Sequence, residues 1–378
     1  MTSQILSQNK EIIGGFQSWK WQQFPVIFNP QNIPYDKLTI INYSFFYPLE
    51  TGEIVGLDPV ADRFLLKGES DLVEDGEVPG ESIIELAKQH GTKIVLSIGG
   101  WETSNNFPQV SADPVKRANF AHWCVKHIKN YGFEGIDIDW EFPGYKKHNG
   151  TPNDRENFTI LLQQIRDSLN VYGIKSEKKL ILTASLPAAA VHLVDMEVEK
   201  IGSIVDYINI MTYDLYGSWG KKSNHNSALY APAEGDPGRC LDGAFKLYHE
   251  THNVPSKKIT LCATFFGYSY SNCSEIYGTH TGADTTIFKE GGDLLYSQIY
   301  EKMDQFNSYW DSTAQSPYLI GKTNKILISL DNEKSVAQKM DYIINNKGGG
   351  IIIWPLMGDY LKNGKTPLLD AISQEFSK

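Results

Sequence analysis

Three acids at alternate positions mark the run Gly132-Phe133-Glu134-Gly135-Ile136-Asp137-Ile138-Asp139-Trp140-Glu141-Phe142-Pro143-Gly144. From Ile136 to Glu141 apolar and acidic residues alternate strictly, which is the period of a β-strand. Ile136, Ile138 and Trp140 then face one side, and Asp137, Asp139 and Glu141 the other. At roughly 3.3 Å rise per residue, neighbours on one face sit about 6.6 Å apart. Like charges so placed raise one another's pKa, and partial burial adds to the effect. Both influences keep the last acid protonated near neutral pH and equip Glu141 as a proton donor. A half-buried edge strand with a solvated acidic face explains the alternation alone. It does not explain the preceding glycine, the Pro-Gly stop, or Trp140 between two carboxylates. Three carboxylates on one strand are too splayed to chelate one ion, and no histidine pair sits nearby at ligand spacing, so neither metal nor cofactor is expected. The G-x-S-x-G elbow of a Ser-His-Asp hydrolase is absent.

The elements that position these acids are strand-like apolar runs, most of them separated by helical patterns, as in βαβ units with a parallel sheet. The runs are 11–16, 38–45, 93–98, the acidic strand, 180–186, 205–212, 258–266 and 350–355. Helices are expected near 81–90, closed by Gly91, and from the Asp113-Pro114 cap to Asn130. Phe158, Leu161, Leu162, Ile165 and Leu169 keep helical spacing, a further helix lies around 335–346, and Thr366-Pro367 opens the last one. Eight such strands count out an α/β fold of the (β/α)8 TIM-barrel type. An open doubly wound sheet is the alternative, but no Gly-rich dinucleotide turn follows the first strand. The long interval 269–328 exceeds an ordinary loop and reads as a small α+β lobe inserted between strands seven and eight. Residues 1–268 and 329–378 then form the barrel.

Catalytic residues of such barrels come from the C-terminal ends of strands. Phe16, Tyr43, Trp101, Glu141, Met211, Tyr213, Asp214 and Trp354 all lie at or just past those ends. A cleft lined by rings with a few acids suits a sugar polymer, because rings stack on pyranose faces while carboxylates bond hydroxyls. Taken singly, Met211 reads as a core gap-filler, Ser97-Ile98-Gly99-Gly100-Trp101 as a plain strand exit, and His225 as a satisfied histidine.

Composition sets wider bounds. Of 378 residues 41% are hydrophobic and 12% aromatic, enough for a sizeable core. The net charge of −10, with no basic cluster, argues against nucleic acid and anionic membrane surfaces. No apolar run is long enough to cross a membrane, and no apolar leader is visible at residues 1–10. Cys124, Cys240, Cys262 and Cys273 lack C-x-x-C spacing; only Cys240 and Cys273 lie in expected loops, and free thiols are expected.

The acidic strand resembles the Asp-x-x-Asp-x-Asp-x-Glu pattern of family 18 glycoside hydrolases, the chitinases. Glu134 stands where the pattern opens with Asp, and Asp137, Asp139 and Glu141 match. Met211-Thr212-Tyr213-Asp214, the segments Gly217-Ser218-Trp219 and Asn224-His225-Asn226, and Trp354 in the eighth strand are also similar to the family. The resemblance implies hydrolysis of β-1,4-linked N-acetylglucosamine with retention, assisted by the substrate's own acetamido group. It implies Glu141 as general acid and base, Asp139 and Asp137 as its supporting acids, and Tyr213 as a donor to the acetamide. Met211, Asp214, Trp354, Trp101, Phe16, Tyr43, Trp219 and Ser97 are the implied substrate-binding set. Phe265-Phe266-Gly267-Tyr268 departs from the family's common Tyr-Gly-Arg, so no substrate-binding arginine is carried over. The lobe implies a wall that deepens the cleft, as in end-directed members. A chitin or chito-oligosaccharide substrate, a monomer and a secreted or released protein are the remaining implications. An endo-β-N-acetylglucosaminidase on glycoprotein glycans and a non-hydrolytic chitin-binding lectin are the competing readings.

Overall fold

A computed structural model describes residues 10–69, 80–289 and 291–377. Residues 1–9, read above for a leader, and 70–79, in the polar loop after the second strand, lie outside the described residues. The strands in chain order are β1 (Glu11–Gln17), β2 (Ile40–Pro48), β3 (Ile54–Gly56), β4 (Lys93–Gly99), β5 (Gly135–Asp139), β6 (Ile181–Pro187) and β7 (Tyr207–Met211). There follow β8 (Ile259–Thr264), β9 (Phe266–Ser271), β10 (Asp293–Leu295), β11 (Phe306–Asp311), β12 (Ser316–Gly321), β13 (Ile326–Ser329) and β14 (Gly350–Trp354). Parallel pairing runs β1-β14-β8-β7-β6-β5-β4-β2 and returns to β1, which closes an eight-stranded barrel. The short β3 adds antiparallel to β2. With helices packed outside, this is the (β/α)8 TIM barrel expected from the strand count.

Local chemistry explains the helices around it. Asp113 accepts hydrogen bonds from the backbone N–H groups of Val115 and Lys116 and starts the helix Pro114–Tyr131, which ends on Gly132 at φ 88°. Ser82 and Glu85 form a reciprocal capping box on Ile83–His90. The last helix, Pro367–Phe376, takes its N-terminal cap from afar: Asp359 accepts from the N–H groups of Leu368 and Leu369.

The second sheet is antiparallel, in the order β10-β9-β13-β12-β11. It begins at Phe266, two residues past β8, and its last strand ends at Ser329, slightly outside the expected interval 269–328. Phe288, Leu294, Tyr296, Ile299, Leu319 and Ile328 continue the apolar core of the barrel into this sheet. All four cysteines are buried and unpaired, and burial raises the thiol pKa of Cys124, Cys240 and Cys262.

Alternation on β5 settles the direction of its side chains. Ile136, Ile138 and Trp140 join the core between barrel and helices, where Trp140 stacks on Phe107 at 5.3 Å and meets Phe158 edge-on. Asp137 and Asp139 point into the barrel mouth. The same parity corrects two expectations. Phe16 and Tyr43 lie opposite each other in the β1–β2 pairing and both face outward, fully buried and in ring contact at 6.1 Å. The Tyr43 hydroxyl donates to Asp62 at 2.6 Å. Their neighbours Gly15, Asn42 and Ser44 line the mouth instead.

Candidate active site

The mouth at the C-terminal ends of the strands gathers Ser97, Asp137, Asp139, Met211, Tyr213 and Trp354. Asp137 is almost wholly buried and receives four neutral donors: Ser97 Oγ at 2.8 Å, Thr183 Oγ1 at 2.5 Å, Ser185 Oγ at 3.1 Å and Asn209 Nδ2 at 3.1 Å. Burial raises its pKa, and those hydrogen bonds oppose the rise. Asp139 differs. Its Oδ1 is buried with no hydrogen-bond partner among the described residues. Burial first, then the charges of Glu141 and Asp137, push its pKa well above the carboxylate range.

Glu141 follows β5 directly. Its N–H donates to Ser104 Oγ at 3.0 Å, while its carbonyl lies 2.6 Å from His148 Nδ1. The protein packed around its half-buried carboxyl raises the pKa to about 8, with the Asp214 charge adding to that. A carboxyl so placed holds its proton at neutral pH, as general acid catalysis requires. Burial also pushes Tyr213 well above ordinary phenols, so its hydroxyl stays a neutral donor. Asp214 is open to the cleft but walled by protein; desolvation raises its pKa to about 6, Asp293 adds to this, and the hydrogen bond from Tyr268 at 2.7 Å opposes it. The backbone of Asp214 has φ 55°, and its N–H donates to Asn226 Oδ1 at 2.8 Å.

Trp354 forms an aromatic floor with Phe45 at 5.8 Å and Trp19 at 6.4 Å. Gly15 permits this, since a Cβ there would stand 2.5 Å from Trp354 Cε3. Trp101, 45% exposed, meets Phe142, Tyr145 and His148 at one rim. Trp219, 64% exposed, stands edge-on to Tyr268 at the rim supplied by the second sheet. His225 is away from the chemistry: it is fully buried, with Nε2 3.1 Å from Asp311. Sequence reading missed Phe45, Trp19, Tyr268 and the donors Thr183, Ser185 and Asn209. The last three carried a signal, as polar residues facing inward from otherwise apolar strands.

The residues of this mouth can hold a sugar ring on Trp354 and present a protonated carboxyl to it. The chain is matched from residue 11 to 359 by the model of glycosyl hydrolases family 18. It is 36% identical over 283 residues to Chitinase A1 of Niallia circulans, a match that covers 71% of this chain but 40% of that longer protein. Chitinase ChiA74 from Bacillus thuringiensis superposes with a TM-score of 0.84 at 29% identity, over 98% of this chain and 70% of that one. Human YKL-39, described as a pseudo-chitinase with retained chitooligosaccharide binding, shares the fold with a TM-score of 0.85 at 23% identity, over 98% of this chain and 100% of that one. The chain belongs to family 18 of the glycosyl hydrolases.

The acids also set a pH dependence of folding. Burial pushes Asp62 and Asp359 up to about 7, as it pushes Glu141 to about 8. At these three carboxyls the folded protein therefore keeps protons that the unfolded chain has released, up to about pH 8, and such groups cost stability as pH rises. Burial lowers the pKa of His127, His192, His252 and His280, which works in the opposite sense but only below about pH 6.5. The Tm from scanning calorimetry is therefore expected to fall between pH 7 and pH 8.5. A rise over that interval would mean that these carboxyls ionise freely in the fold.

Proposed function

We propose that the protein is a chitinase, hydrolysing β-1,4 linkages between N-acetylglucosamine units with retention and with assistance from the substrate. The observation that carries this reading is the pairing of Glu141, protonated up to about pH 8, with Asp139, whose buried Oδ1 has no partner among the described residues. Glu141 donates its proton to the glycosidic oxygen and then serves as base for the incoming water. The acetamido carbonyl at C2 attacks C1 within the same sugar, with the advantage of an intramolecular reaction. Asp139 accepts from the acetamide N–H through its otherwise unpartnered Oδ1, and the carboxylate that proton donation leaves on Glu141 stabilises the positive charge of the oxazolinium ion. Asp137, held by its four donors, fixes the charge beneath Asp139. Tyr213 donates to the acetamide carbonyl, Met211 and Asp214 hold the ring, and Trp354 stacks under it. Trp101 and Trp219 are platforms for sugars further along the chain, and Ser97 acts through Asp137.

The test is substrate choice. Chitotriose and 4-methylumbelliferyl chitotrioside are expected to be cleaved, whereas fully deacetylated chitosan and cellulose oligomers are not, because they lack the acetamide nucleophile. Cleavage of all of these at comparable rates would overturn the substrate-assisted account. Turnover of a high-mannose glycan without turnover of chito-oligomers would move the assignment to an endo-β-N-acetylglucosaminidase.

A further inference from the structure

Glu141 is gripped by its backbone at two points, and both grips come from rim loops outside β5. The turn Trp101–Asn106 supplies Ser104, fully buried, whose Oγ accepts the Glu141 N–H at 3.0 Å and donates to the Gly100 carbonyl at 2.9 Å. The turn Lys146–His148 folds back over the acid, with the N–H of His148 donating to the Tyr145 carbonyl. That return places His148 Nδ1 2.6 Å from the Glu141 carbonyl. A carbonyl only accepts, so Nδ1 carries the hydrogen, in the neutral δ tautomer and in imidazolium alike. The ring of His148 meets Trp101 at 4.7 Å and Tyr145 at 5.1 Å, and Asn149 Nδ2 donates to the Asn105 carbonyl at 3.2 Å. The two turns are thus stapled to each other across the acid's own peptide groups.

We propose that His148 is a positioning residue for the general acid: its Nδ1–H holds the Glu141 carbonyl and thereby sets the direction of the carboxyl. The inference rests on Glu141 acting as the acid proposed above. Misplacing a catalytic group by about 1 Å costs as much as 10²-fold in rate, and the second grip, through Ser104, limits the movement here. His148→Ala is expected to lower kcat on 4-methylumbelliferyl chitotrioside roughly tenfold, with KM changed less than about threefold.

The distinguishing pair is His148→Asn and His148→Gln. Asparagine places an amide N–H where Nδ1 stands, while glutamine carries its amide one bond further out. The asparagine variant would therefore keep kcat within about threefold of wild type, and the glutamine variant would fall with the alanine one. A residue that served only to pack against Trp101 would lose its ring in all three variants and give equal losses. Equal losses, or a kcat for His148→Ala within twofold of wild type, overturn the proposal. Should the alanine variant fail to fold, the asparagine and glutamine pair carries the test, with Tm recorded for each. A wild type without turnover would instead sink the assignment of Glu141, which keeps the two failures apart.

Discussion

Glu141→Gln is expected to lower kcat on 4-methylumbelliferyl chitotrioside by at least about 10²-fold, the low end for general acid–base catalysis, with KM changed only a fewfold. The substitution nearly conserves shape, and both grips on this residue act on its backbone, so the side chain stays in place. What it loses is the proton. Wild-type kcat/KM is expected to fall as pH rises through about 8, where Glu141 ionises. The residual activity of the variant is expected to lack that limb. Stability gives a second readout. The folded-state pKa of Glu141 lies above its unfolded value, so its ionisation opposes folding above that unfolded value, most fully beyond pH 8. Glutamine removes this cost, and the variant is expected to be at least as stable as wild type at about pH 8.5. A rate within tenfold of wild type would place the acid elsewhere, with Asp214 at about 6 next in line.

The largest stability effect is expected at Lys339, far from any solvent. Its ammonium and the Asp331 carboxylate are 0% and 1% exposed and 2.5 Å apart. Asp331 also accepts from the N–H and hydroxyl of Thr264, at the end of β8, and from Ser335. Lys339 donates to Ser227 Oγ at 2.7 Å, and Ser227 in turn donates to the Thr212 carbonyl beside Tyr213. Removing one partner of a buried pair strands the other charge, at a cost of about 3–5 kcal/mol. Lys339→Met should show that loss in urea unfolding. Replacing both charges with apolar residues is often neutral elsewhere. Here Lys339→Met with Asp331→Leu is expected to remain destabilised, because the Thr264 N–H loses its acceptor. A double variant as stable as wild type would show that the loss in Lys339→Met is the stranded Asp331 charge alone, and that the hydrogen bonds to the strand ends add nothing net.

The barrel was legible because each strand is a short apolar run closed by a turn, and the acid ladder because its period is two. Face, by contrast, was misjudged on two strands. Phe16 and Tyr43 stand at strand ends, but an end specifies height along the barrel and not direction. Parity would have settled it: Gly15 and Asn42 pair across β1 and β2, and so do Phe16 and Tyr43, so each pair shares a side. A glycine and an asparagine inside apolar strands were the better cleft candidates. Thr183, Ser185 and Asn209 follow the same rule, since an inward polar residue needs a polar partner, and Asp137 is that partner. Nothing local announced His148 or Tyr268. Their roles depend on where a turn and a second sheet land, which is tertiary information.

The covered, unpaired cysteines have a practical consequence for spectroscopy. All four are at most 1% exposed, and a thiol closed off from solvent is inert to alkylating reagents. A new cysteine at Val191, which is 63% exposed and adjoins the His192 ring stacked on Phe142, would be the one thiol that a maleimide dye reaches. A fluorophore there would sit next to the His192–Phe142 stack, whose Phe142 meets Trp101 at the rim, and its emission would respond to a sugar seated on that rim, with every native residue of the core left in place.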